Sequence, residues 1–164
     1  MASVDTQKRY QRNFRSGFSL TEIIVVTLII AIMAGIAVPN FVKSKRQFQV
    51  RAVAERLAAD VRYAQHQARI KGKSQQVVFS PSTETYQLPS SKNINSPSQI
   101  YSVDLRQNGS GAVLESAAFG AAGATLTFDM YGRPDFGGSA VVKVGSLQRT
   151  IQVDATLGQV SVLP

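Results

Sequence analysis

The chain has 164 residues, no cysteine and a formal net charge of +8. That length leaves room for one modest globular domain, and the missing thiols exclude a disulfide framework, a thiol nucleophile and a cysteine metal site. The positive balance suits anionic neighbours such as lipid headgroups, acidic subunits or nucleic acid, and selects none of them.

Lys8, Arg9, Arg12 and Arg15 make the first segment basic. From Phe18 to Val38 the chain is apolar, and at about 1.5 Å per helical residue it can cross a hydrocarbon core of ~30 Å. Glu22 is the one charge in this run. A carboxylate costs about 2.5–3.5 kcal/mol at mid-bilayer and less near an end, so it reads as functional. An ordinary secretory signal, cut at Gly35-Ile36-Ala37, would have a shorter apolar core and no use for Glu22. A plain single-pass anchor explains the length, but not Gly17-Phe18 followed by Glu22.

Gly17, Phe18, Glu22 and Pro39 together resemble the class III signal of type IV prepilins and type II secretion pseudopilins. The resemblance implies cleavage between Gly17 and Phe18 by prepilin peptidase on the cytoplasmic side, then N-methylation of Phe18. It implies that the helix is kept as anchor and assembly element. Glu22 would then pair with the Phe18 amine of a neighbouring subunit. The bland reading of Glu22 is a headgroup-level residue favoured by the positive helix end.

Pro39 removes one helical N–H, but the following sequence is strongly helical, so a kink is expected rather than a stop. Val50, Val53, Leu57, Val61, Ala64 and Ala68 recur at three- and four-residue steps, which predicts one apolar face of an amphipathic helix. Gly72 is its natural end, with Arg69 and Lys71 in the last turn. Residues 75–80 and 85–88 read as strands around a hairpin turn at Pro81–Glu84. Residues 89–99 read as loop, 100–105 as a strand, and 108–124 as a Gly/Ala/Ser-rich mobile loop with a short strand at 112–115. Strands are expected at 125–129, 140–144, 149–153 and 159–163.

The expected fold is therefore α+β: a long N-terminal helix, transmembrane then amphipathic, packed on a small antiparallel β-rich head. The expected divisions are a leader at 1–17, a transmembrane and assembly helix at 18–39, an amphipathic helix at 40–72 and the head at 75–164. One helix followed only by strands is similar to the GspH/FimT family of minor pseudopilins and minor pilins. Residues 57–69 running into Gln76–Phe79 resemble that family's passage from helix to first strand. Residues 128–134 resemble its late aromatic-glycine turn, and 151–153 with 158–160 its terminal hairpin.

No catalytic constellation stands out. His66 is the single histidine and sits mid-helix between Arg62 and Arg69. Asp129 and Asp135 flank a glycine turn, two carboxylates where a calcium site needs more. No metal site, cofactor or phosphate loop is expected. Arg62, Arg69 and Lys73 share one helical face with His66 and form a candidate anion-binding surface. Its bland reading is a solvated face, with residues 43–51 near lipid phosphates.

The functional expectation is a non-enzymatic minor pseudopilin of a type II secretion pseudopilus or type IV pilus-like filament. The alternative is a DNA-binding minor pilin for DNA uptake. Gln159 and Ser161 stand where DNA-binding relatives would carry arginines. The expected partners are prepilin peptidase, other pseudopilins or minor pilins and inner-membrane lipid, with nucleic acid under the alternative. The expected location is the inner membrane with the head in the periplasm, then the filament, since the basic leader stays cytoplasmic.

Overall fold

The computed structural model describes residues 17–93, 96–107 and 111–164, without side chains at 37–40 and 122. The leader expected before Gly17 lies outside the described residues, as do positions 94–95 and 108–110 of the two expected loops. The chain divides into two compact units, Met1–Asn40 and Phe41–Pro164.

Helix α1 runs from Leu20 to Lys71 through position 39. The kink expected at Pro39 falls where side chains are not described. In the first unit every described side chain is exposed. This stretch is long and apolar enough to cross a membrane as a helix. Thr27 shows how a hydroxyl is tolerated there: its Oγ1 donates back to the carbonyls of Ile23 and Ile24, both at 2.9 Å.

In the second unit the same helix is buried on one side. Val50, Ala54, Leu57, Ala58, Val61, Ala64 and Ala68 are all inaccessible, at the spacing that keeps side chains on one face. Gly72, at φ +59°, turns the chain, and the Lys73 N–H donates to the Ala68 carbonyl at 3.3 Å. That bond closes the helix with a Schellman-type cap.

Eight strands follow: β1 (Gln75–Ser80), β2 (Thr85–Lys92), β3 (Ile100–Asp104), β4 (Ala112–Phe119), β5 (Thr125–Phe128), β6 (Gly138–Val144), β7 (Leu147–Val153) and β8 (Val160–Leu163). They form two antiparallel sheets, ordered β3-β2-β1-β5 and β4-β6-β7-β8. Phe119 of β4 stacks on Phe79 of β1 with ring centroids 5.1 Å apart, joining the two sheets in one core with the helix.

Two expectations are corrected. The loop expected at 89–99 begins later, because β2 continues to Lys92 across a register shift between Leu88 and Lys92. Pro89, which cannot donate to a ladder, sits in that shifted stretch. The loop expected at 108–124, with a strand only at 112–115, holds an eight-residue strand. A bulge between Leu114 and Ser116 switches which alternate residues face inward: Ala112 and Leu114 before it, Phe119 after it. The bulge breaks the period-two pattern by which the strand would be recognised.

Candidate functional site

The N-terminal end of α1 holds the predicted processing and assembly residues. Gly17 is exposed, with no atom within 4 Å of where a Cβ would stand. Among the described residues nothing packs against the position a side chain at 17 would take. Phe18 is 79% exposed. The helix opens at Leu20, and the Ser19 carbonyl accepts the Ile23 N–H at 3.2 Å. Glu22 lies in the first turn, where the exposed N–H groups favour a carboxylate. Phe18 and Glu22 line one shallow groove with Ile23, Val26 and Thr27. Phe18 and Glu22 thus lie on the same side of the chain.

The predicted anion-binding face looks different once the head is present. Arg62 Nη2 donates to the Val160 carbonyl at 2.9 Å, and Arg69 Nε to the Tyr131 carbonyl at 3.0 Å. Between them Gln65 Nε2 bridges the carbonyls of Gly132 (2.8 Å) and Leu157 (3.1 Å). One helix face thus clamps strand β8 and two turns of the head. Gly132 has φ +75°, and an added Cβ would run into the Arg69 side chain. His66 and Lys73 are exposed beside this clamp.

The carboxylates near the glycine turns have turn-holding roles. Asp129 Oδ1 accepts the N–H groups of Tyr131 (2.9 Å) and Arg133 (2.7 Å). Asp135 Oδ1 accepts those of Thr127 (3.1 Å) and Phe136 (2.9 Å). Asp154 accepts from Leu157 and Thr156, and these bonds hold its carboxyl below the usual range. Among the described residues no group of three or more metal-binding side chains converges.

One cluster escaped the sequence reading. Asp60 Oδ2 accepts the hydroxyls of Tyr86 (2.6 Å) and Tyr101 (3.0 Å), tying α1 to β2 and β3. Burial, then the bond to Asp60, pushes the Tyr86 phenol far above its ordinary range. Burial also raises Tyr101, while the Tyr101 hydroxyl raises Arg56 further. These phenols stay protonated donors, so the cluster braces the helix rather than supplying a nucleophile. The only local signal was Arg56 and Asp60 at an i, i+4 spacing on the margin of the apolar stripe.

Comparison with known proteins fits both ends of the chain. Residues 12–38 match the prokaryotic N-terminal methylation motif. The fold matches the crystal structure of the type IV minor pilin FimU from Pseudomonas aeruginosa (strain PAO1) in space group P21. That alignment has a TM-score of 0.53 at 15% identity, covering 72% of this chain and 90% of FimU. A second FimU crystal structure from that organism, in space group P65, aligns with a TM-score of 0.49 at 17% identity over 70% and 92% of the two chains. No curated protein sequence matches the chain. The chain thus carries the methylation motif at 12–38 and has the fold of a minor pilin, a long helix with antiparallel sheets.

Proposed function

We propose that the chain is a minor pseudopilin or minor pilin of the GspH/FimT kind, a structural subunit of a type II secretion pseudopilus or type IV pilus-like filament. The observation that carries this reading is continuity. The methylation motif at 12–38 overlaps Leu20–Lys71, the helix whose second half has one face buried in the head. A removable signal would need no such connection.

In this reading prepilin peptidase cuts between Gly17 and Phe18 and the new Phe18 amine is methylated. Among the described residues no packing calls for glycine at 17, which supports its being read by an enzyme. The helix anchors the protein in the inner membrane, with the basic leader inside and the head in the periplasm. Glu22 then receives the amine of a neighbouring subunit, and the paired charges set register as both leave water. Arg62 and Arg69 hold carbonyls of the protein itself, which argues against a free phosphate-tracking face for nucleic acid.

Intact mass and N-terminal sequencing of membrane-extracted protein test the processing step. The expected chain begins at Phe18 with a methylated amine, and Gly17→Val leaves the leader attached. A chain that keeps Met1, or begins at Val38, ends the prepilin reading.

A further inference from the structure

We infer that the second unit carries a seat for the phosphodiester headgroup of an anionic phospholipid, formed by Arg51 of α1 and Arg149 of β7. Two adjoining clefts of roughly 310 and 250 Å³ share these two arginines. Ser44, Gln47 and Phe48 complete the first, and Glu55 and Val162 the second. Arg46 is a further cation on the same helix, its guanidinium lying 3.5 Å from where a Cβ on Gly145 would stand. The ion pairs among the described residues are Arg106–Glu84 and Lys143–Glu115, so Arg46, Arg51 and Arg149 have no carboxylate partner there. Glu55 shares the second cleft without pairing to either arginine.

Two arginines, one from a helix and one from a strand, line both clefts, and guanidinium groups suit phosphate oxygens. The neighbouring surface decides which phosphate. Phe48 is 72% exposed at the first cleft, and Phe41, 70% exposed, lies one heptad earlier on nearly the same helix face. Exposed phenylalanines beside unpaired arginines suit the boundary between headgroups and acyl chains. A DNA backbone offers them nothing to cover. In chain order these residues are the first turns after the apolar run. The inference rests on the membrane-anchored reading above and gives its lipid contact a specific place.

The test uses the purified full chain in nonionic detergent, with retained lipid read by native mass spectrometry. Phosphatidylglycerol is expected to be retained in preference to phosphatidylcholine. Arg51→Ser and Arg149→Ser should each lower that retention by roughly 5-fold, the size expected for one basic residue at an anionic surface. Arg133→Ser removes the same charge from an exposed turn residue outside the clefts and should leave retention unchanged. Arg51 is exposed on the helix, so its variant reports on the seat even if the Arg149 variant folds poorly. Equal loss in the Arg133 variant would reduce the seat to diffuse charge. Equal retention of phosphatidylcholine, displacement by inorganic phosphate, or displacement by duplex DNA would each overturn it. Retention is read on uncleaved chain, so failure of processing at Gly17 leaves this result legible. Normal processing with no lipid preference would sink the seat alone.

Discussion

Glu22 is the only charge between Phe18 and Val38, and its position in the first turn of α1 lowers the cost of keeping it there. The proposed assembly role separates Glu22→Ala from a processing defect. Cleavage should continue, and a more apolar span should insert at least as well. The neighbour's Phe18 amine would enter the filament unpaired, a penalty of roughly 3–5 kcal/mol in a dry site. The expected outcome is cleaved, membrane-bound protein that is scarce in sheared filaments; normal incorporation would return Glu22 to a headgroup-level residue. Tyr86 gives a prediction about the head. With its phenol raised in the folded state, the unfolded chain loses that proton first, from about pH 10 upward. Stability should therefore be complete below that pH and fall as pH rises through it, since the folded state then binds more protons than the unfolded one. Tyr86→Phe should cost about 1–3 kcal/mol near neutrality by leaving Asp60 less satisfied. It should also flatten the alkaline slope in urea melts, leaving the smaller contribution of Tyr101. An unchanged slope would remove Tyr86 as its source.

At the scale of elements, α1 approaches the sheets along a face rich in small residues: Ala54, Ala58, Ala64 and Ala68 are all buried. Close approach of this kind leaves no room for larger side chains. Ala58→Leu should destabilise the head by about 1–3 kcal/mol through overpacking. Ala59→Leu, one position round on the exposed side, should stay within about 0.5 kcal/mol of the parent. Chemical denaturation of the two variants compares them directly, and equal midpoints would mean that the helix face is misplaced. The helix stripe was legible because its period repeats over several turns. β4 was not, because the bulge at its centre breaks the alternation and Gly138 opposite Phe119 reads as a turn residue. In the structure a Cβ at Gly138 would come 2.7 Å from the Phe119 Cα, so the glycine is needed for the two strands to close.

For the whole molecule, every described side chain of the hydrophobic core lies at Val50 or beyond. The fragment Phe41–Pro164 keeps all of these core residues. It should be soluble and monomeric, with both helix and β signal in circular dichroism and one cooperative thermal transition. Aggregation, or loss of the β signal, would show that the apolar first unit supports the head. The sequence alone determined the long helix Leu20–Lys71, its buried stripe and the positions of most strands, and it points to the Gly17-Phe18 junction. These features are written in residues close together in the chain, as a motif, a period of 3.6 or 2, or a turn. Tertiary structure alone decided the division of eight strands into two sheets, the attachment of two tyrosines to Asp60, and the engagement of Arg62, Gln65 and Arg69 by carbonyls of the head. Those contacts join residues 26 to 98 positions apart. A helix arginine has the same local sequence whether it faces water or a carbonyl, and only the closing of the sheets over the helix brings the acceptor within reach.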